Sequence, residues 1–378
     1  MNNALDSILV IELGTVLTAP LAGMMLADLG ARVIKVEHPS GGDPFRRHAG
    51  KLYSPHFSSY NRNKESIQLD LQSDSGKADL LTLLARADVL LENYRPGVMA
   101  RLGLTEAALK EINPGLVWCS ITGFGTEGPY RDRPCYDAVA LGLSGLDSLM
   151  LDPEQPAMTG PTISDNVTGM YASYGILGAL MRRGCTGEGA RVEVNMLEAS
   201  IAFSPEGFAQ YTRLGICPMP HTRVAISQSY AFPCADGRLV TVHLSSVEKF
   251  WQAFVAVIER PDLLIDERFL TPGLRTSNYS LLNEVAAQIF RTGTRDEWCE
   301  RLAQHDVPAA PVYTVPEVME DPQVKQAGTF YEVVHPEHGK MVGIHRPVTI
   351  DGARGPTTRA APVLGEHSAA IRAEFKLG

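Results

Sequence analysis

Residues 7–37, SILVIELGTVLTAPLAGMMLADLGARVIKVE, decide the architecture. Ser7 to Leu13 is an apolar run broken only by Glu12, short enough for a strand buried on both faces. Thr18 is placed to cap a helix running through Leu29, with Leu21, Met24, Met25 and Leu29 on one face. Gly30 ends it, because glycine enters the left-handed conformation of a helix C-terminus at no steric cost, and Ala31 to Glu37 reads as a second strand. A strand, a helix and a strand in so few residues form a right-handed crossover, which makes the two strands parallel.

Working outward, the cycle repeats. Helical ADLLTLLARA (78–87) precedes the strand DVLLENY (88–94), and a short helix from Thr105 to Ile112 precedes the strand LVWCSIT (116–122). A longer helix, roughly Asn166 to Met181, and a strand near Val192 follow. This alternation predicts an α/β doubly wound domain with functional loops at the carboxyl ends of its strands. After about residue 205 the texture changes. SYAFPCADGRLVTVHL (229–244) is a hairpin turning at Asp236-Gly237, Phe250, Trp251, Phe254 and Ile258 recur at helical spacing, and Thr294 with Glu297 forms a capping box. PAAPVYTVPEVMEDP (308–322) suits an extended connector. The expected organisation is a large domain over 1–205 completed by about 345–378, a linker at 206–225, a small α+β domain at 226–325 and a return linker at 326–344.

Composition narrows the function classes. A chain of 378 residues with 44% hydrophobic and 20% charged residues is ordinary for a soluble globular protein. A formal charge of -9 lacks the basic field of a nucleic-acid binder. No run of ~18 apolar residues suggests a membrane span, and the start lacks the basic region of a signal peptide, so a cytoplasmic location without membrane or nucleic-acid partners is expected. The six cysteines are scattered, without a C-x-x-C pair, and read as buried or semi-buried thiols; the sequons at Asn166 and Asn278 then carry no sugar.

Standard motifs fail informatively. Gly123, Gly125 and Gly128 fit G-x-G-x-x-G, but Pro129 and Pro134 follow where a dinucleotide site needs a helix, so an irregular loop is expected. Gly50-Lys51 lacks the remainder of a Walker loop, and Ser144 in GLSGL lacks the second glycine of a nucleophile elbow. His335 and His338 read as solvated loop residues rather than metal ligands. One carboxylate stands out. Asp165, in GPTISDNVTGMYASYGILGAL, sits at the start of an apolar helix that either Ser164 or Asp165 could cap. Held still and ionised, such a carboxylate also suits a nucleophile that builds acyl-enzyme intermediates.

Several segments together resemble the family III CoA-transferases (CaiB/BaiF), which include formyl-CoA transferase and carnitine CoA-transferase. They are VIELGTVLTAPLAGMMLADLGARVIKVEHPSGGDPFR, YNRNKESIQLDL, DVLLENYRPGVMARLGL, ITGFGTEGPYRDRPCYDAVALGLSG, the Asp165 segment and the closing PVLGEHS, in family order over nearly the whole chain. The resemblance implies a Rossmann-like large domain, a smaller domain, and two ring-shaped chains interlocked as a homodimer. It implies CoA transfer from an acyl-CoA to a free carboxylic acid through aspartyl anhydride and aspartyl-CoA thioester intermediates. Asp165 would be the nucleophile; CoA is a substrate, and no resident cofactor, metal or ATP is implied. By family position Val16 and Leu17 lie near the thioester, His38, Lys64, Asn93, Tyr94 and Arg101 line the nucleotide end, and Tyr136 and Asp137 flank the reacting centre.

Three departures shape these expectations. Tyr136 stands where 2-methylacyl-CoA racemases of the family carry a histidine, which favours transfer over racemisation. Leu17 replaces the glutamine of formyl-CoA transferase, and Ser245, Ser246 and Val247 stand where that enzyme has a run of glycines. Succinate or another dicarboxylate is a candidate acid, with Arg46, Arg47, His48, His221 or Arg223 available to its distal carboxylate. A non-catalytic acyl-CoA-binding protein is the third reading.

Overall fold

Strands β1 (Leu9–Glu12), β2 (Arg32–Glu37), β3 (Glu65–Gln68), β4 (Val89–Glu92), β5 (Val117–Thr122) and β6 (Ala190–Asn195) pair in parallel in the order β3-β2-β1-β4-β5-β6. The computed structural model describes residues 3–48, 52–245, 248–335, 337–355 and 358–378. The chain divides into two compact units: Met1–Asp147, Met158–Pro205 and Ala327–Gly378 form the first, Ser148–Ala157 and Glu206–Gln326 the second.

The first unit carries α1 (Thr18–Asp28), α2 (Pro55–Tyr60), α3 (Asp74–Leu84), α4 (Val98–Arg101), α5 (Glu106–Ile112), α6 (Asp137–Ser144), α7 (Ile163–Thr186) and α8 (Met196–Phe203). Because side chains alternate along a strand, the sheet feeds two cores: Ile11, Ile34 and Leu90 on one face, Val10, Val33 and Val89 on the other. In the second unit come α9 (Pro205–Leu214), α10 (Pro220–Ile226), β7 (Ser229–Pro233), β8 (Leu239–His243), α11 (Glu248–Val257), α12 (Pro272–Ser277), α13 (Tyr279–Phe290), α14 (Arg295–Gln304), β9 (Ala309–Pro311), α15 (Val315–Glu320) and α16 (Pro322–Gln326). Its antiparallel sheet, ordered β7-β8-β9, packs on Trp251, Phe254, Phe290 and Trp298. The hairpin of β10 (Phe330–His335) and β11 (Gly339–Ile344), then α17 (Ser368–Phe375), return to the first unit.

Several boundaries depart from expectation. Residues 206–225 hold most of α9 and α10 rather than a linker, since Pro205 and Pro220 occupy first helical positions, where the missing N–H costs nothing. PAAPVYTVPEVMEDP is not an extended connector either. Ala309–Pro311 pairs as an edge strand with β8, and Thr314 and Glu317 form a capping box that opens α15. Residues 326–344 contain the β10–β11 hairpin, and 148–157 belong to the second unit. Thr18 is the first residue of α1 rather than its cap; Leu17 holds that position without a side-chain bond. His335 is buried, at 5% exposure, with its ring 4.8 Å from that of Tyr53. Cys185 and Cys217 are exposed, and Ser246 and Val247 lie outside the described residues. Among the described residues no helix is long and apolar enough to cross a membrane.

One helix pair sets the direction in which Asp165 points. A β-carbon on Gly169 of α7 would come 2.8 Å from the Thr18 carbonyl oxygen and 3.0 Å from Leu21, and one turn later Ser173 Oγ donates to the Ala22 carbonyl at 3.3 Å. Steps of four residues on both helices in the same sense make α7 and α1 parallel neighbours. Carried back one turn, that register turns Asp165 toward the segment entering α1. Gly169→Val is therefore expected to wedge the pair apart at a cost of about 1–3 kcal/mol, read as a lower urea midpoint at unchanged slope.

Candidate active site

Successive strands are added on one side of β1 as far as β3 and on its other side from β4, and in open α/β sheets ligands bind outside the carboxyl ends of the strands at that point. The loop leaving β1 is gripped there by three side chains. Lys35 Nζ donates to the Gly14 carbonyl at 2.7 Å. Asn93, just after β4, accepts from the Thr15 amide at 3.0 Å and donates to the Thr15 carbonyl at 2.8 Å and Thr18 Oγ1 at 3.0 Å. Asp43 Oδ1 accepts from the Val16 amide at 3.1 Å. Val16 sits at φ 67°, a left-handed conformation that strains a β-branched residue by about 1–3 kcal/mol.

These grips are anchored in buried charge. Glu12 Oε1 meets Lys35 Nζ at 2.9 Å and Lys64 Nζ at 3.0 Å, while Asp43 Oδ2 lies 3.0 Å from Lys35. Beside them Arg46 donates to both oxygens of Glu37 at 2.7 Å, and Ser66 Oγ donates to Glu37 at 2.6 Å. Burial opposes the Lys35 charge, but Glu12 and Asp43 outweigh it and hold the ammonium above its ordinary range. For Lys64 burial wins despite Glu12, and its pKa falls to about 8. Burial likewise works against Glu37, yet Arg46 keeps that acid below the usual carboxylate range. The signal was present in the sequence: Glu12, Lys35 and Glu37 are charges inside otherwise apolar strands, and a buried charge needs a partner.

Asp165 lies in the first turn of α7. Neither it nor Ser164 caps the helix. The cap position is Thr162, without a side-chain bond, and Asp137, the first residue of α6, accepts the Asp165 amide on Oδ1 at 3.1 Å and also takes the Ser164 amide. Ser164 Oγ instead accepts from Ser200 Oγ at 2.7 Å. The borrowed cap leaves the Asp165 carboxylate free of backbone duty. Burial first, and the Asp137 charge second, push its pKa up to about 7. Burial also raises Asp137, against the two amides it accepts, and Cys135 is pushed up to about 11 by burial and by both carboxylates.

The other residues singled out in the sequence fall into two groups. Val16, Leu17, Asn93 and Tyr94 gather at the switch point, although Asn93 is engaged by its own loop and Tyr94 packs against the core. His38 is exposed after β2, with Nδ1 accepting from the Ser40 amide; Arg101 is exposed at the end of α4, and Tyr136 is 70% exposed beside Asp137. Two expectations are corrected. Lys64, as a phosphate partner, is 1% exposed and gives its protons to Glu12, Asn61 Oδ1 and the Pro20 carbonyl. Arg46, as a dicarboxylate partner, is buried against Glu37 and the Phe57 ring. Arg223 pairs with Glu206 at 2.9 Å in the second unit.

A parallel sheet whose winding changes side, a strained loop pinned at that point and an acid of raised basicity are marks of an α/β enzyme. Residues 5–368 match the family described as CoA-transferase family III. The succinate–glutarate CoA-transferase of Agrobacterium fabrum is 33% identical over 98% of this chain and 96% of its own length, and the succinyl-CoA–D-citramalate CoA-transferase of Chloroflexus aurantiacus is 30% identical over 97% and 92%. The crystal structure of a CaiB/BaiF family protein from Brucella suis superimposes with a TM-score of 0.88 at 32% identity, covering 99% of this chain and 100% of that one. The chain belongs to the CoA-transferase family III, the CaiB/BaiF group, and is a CoA-transferase whose substrate is a CoA thioester.

The raised Asp165 pKa has a sign for stability. The unfolded acid ionises near ~4, the folded one near 7, so between those values the unfolded chain holds fewer protons and folding weakens as pH rises. Asp165→Asn escapes this loss. Its thermal midpoint is expected to gain on that of the parent from pH 4 to 7 and then hold a constant lead; a lead independent of pH would contradict the shift.

Proposed function

We propose that the protein moves CoA from an acyl-CoA donor to a free carboxylic acid through Asp165. The observation that carries the reading is the cap supplied by Asp137, which frees the Asp165 carboxylate while its surroundings make it more basic, and hence more nucleophilic, than an ordinary acid. Asp165 attacks the thioester carbonyl, the C–S bond breaks, and CoA thiolate leaves a mixed anhydride. The thiolate attacks the aspartyl carbonyl, the C–O bond breaks, and the donor acid departs from an aspartyl-CoA thioester. The acceptor carboxylate then displaces the thiolate, and the thiolate attacks the acceptor's acyl carbon, restoring Asp165. One thioester replaces another, so the cycle needs no ATP.

In this reading Val16 and Leu17 border the thioester, His38, Asn93, Tyr94 and Arg101 serve the nucleotide end, and Tyr136 and Asp137 flank the reaction. Tyr136 offers no imidazole to carry an α-proton, which favours transfer over racemisation. A dicarboxylate such as succinate is the acid we favour, supported by relatives whose names contain succinate or succinyl-CoA, the Agrobacterium and Chloroflexus enzymes among them. An interlocked homodimer of ring-shaped chains in the cytoplasm completes the proposal. It draws support from Met170, Tyr174 and Met181, which leave apolar surface exposed along α7.

Incubation with succinyl-CoA, followed by intact-mass analysis and peptide mapping, is expected to find an adduct on Asp165 that Asp165→Ala cannot form although it still binds CoA. Normal turnover by that variant would end the proposal. The rate of adduct formation is expected to rise as pH passes through about 7, because only the carboxylate attacks. Asp137→Asn keeps an oxygen for the α7 amides and removes the neighbouring charge, so its midpoint should move to lower pH.

A further inference from the structure

Among the residues gripping the β1–α1 loop, Asp43 alone holds a conformation that its partner would not adopt unaided. It is 1% exposed, and its Oδ1 accepts both the Val16 amide at 3.1 Å and the Phe45 amide at 2.9 Å, while Oδ2 lies 3.0 Å from Lys35 Nζ. Lys35 in turn is held by Glu12 and the Gly14 carbonyl, so the carboxylate has no freedom to follow Val16 if the loop relaxes. The turn is tight. A β-carbon on Gly14 would come 2.3 Å from that of Ala19. Leu17, the next residue, opens α1 without any side-chain cap; Val16 packs against Leu17, Leu21 and Met24, but the hydrogen bond from its amide is accepted by Asp43. Glycine reaches φ 67° freely but reaches other conformations as readily; a valine forced there by an outside acceptor has one.

We propose that Asp43 is a positioning residue for CoA transfer: by holding the Val16 amide it keeps the β1–α1 segment in the single turned conformation that faces Asp165. This rests on the reading of Asp165 as the group that reacts. Preorganisation of this kind acts on rate, because a reacting centre displaced by about 1 Å can lose on the order of a hundredfold. It also makes a prediction that mere structural support does not. Glycine at position 16 needs no clamp to enter the left-handed turn, so it should return activity to a chain that has lost Asp43.

The test compares the full-length parent, Asp43→Ala, Val16→Gly and the double variant, measuring kcat and KM for acyl-CoA, adduct formation on Asp165 by mass, and thermal unfolding. Asp43→Ala is expected to lose about 10- to 100-fold in kcat and in adduct rate, with a smaller change in KM. The double variant is expected to be several-fold faster than Asp43→Ala even though it is no more stable. If Asp43→Ala does not fold, Asp43→Asn replaces it; the lost charge loosens the hold of Lys35, the loss is smaller, and glycine again recovers it. Parental rates in the Asp43 variant, or a double variant no faster than the single, would overturn the assignment. A parent that turns over without an Asp165 adduct removes the reading on which it rests, and that outcome is visible before any variant is made.

Discussion

A charge placed inside a parallel sheet has to be paired, and here that constraint shapes the functional end of the first unit. Glu12, Lys35 and Glu37 enter on β1 and β2, and Lys64, Asp43 and Arg46 come from the connections that follow, giving three acids and three bases out of water. Removing one member of such a set leaves a buried charge uncompensated, typically at about 3–5 kcal/mol. Even the helix above has adapted: a β-carbon at Gly23 of α1 would fall 1.9 Å from Glu12 Oε2, so the carboxylate occupies space that any other residue would take. A glycine in a helix interior costs about 1 kcal/mol against alanine, and the carboxylate beneath accounts for it.

The same network ends at backbone. Lys35 reaches the Gly14 carbonyl and Asp43 the Val16 amide, so ion pairing at the heart of the sheet is converted into the shape of a loop at its edge. Asn93 adds the second strand of the switch point to the same loop. Stability and geometry thus arise together, and Lys64, a cation expected to meet a phosphate, is consumed in holding the network.

Asp165 illustrates a division of labour between carboxylates. A first-turn acid in a helix ordinarily satisfies backbone amides and stays readily ionised. Asp137 performs that service from another helix, and its charge together with burial raises the basicity of its neighbour. Two acids of one type acquire different tasks from their surroundings alone, the pattern by which paired carboxylates are set apart in enzymes.

The alternation of apolar runs, the Gly30 stop and the Asp236-Gly237 turn made the doubly wound sheet and the β7–β8 hairpin legible, because each depends on neighbours within a few residues. Prolines misled at 308–322, where they sit on an edge strand or begin a helix instead of breaking structure, and the linker expected at 206–225 holds helices. Asp165 was legible as an acid at a helix start, but its cap comes from 28 residues away, and no local rule could choose between Ser164, Asp165 and an acceptor on another helix. Lys64, a surface or phosphate residue by type, is buried because Glu12, 52 residues earlier, needs it. What the chain's own order determined was periodicity and crossover handedness, since these follow from near-neighbour sterics and from which faces must be covered. Which charges pair, which amide a carboxylate holds and how basic Asp165 becomes were decided only by tertiary structure, because desolvation and Coulomb interaction depend on distance in space and not on separation along the chain.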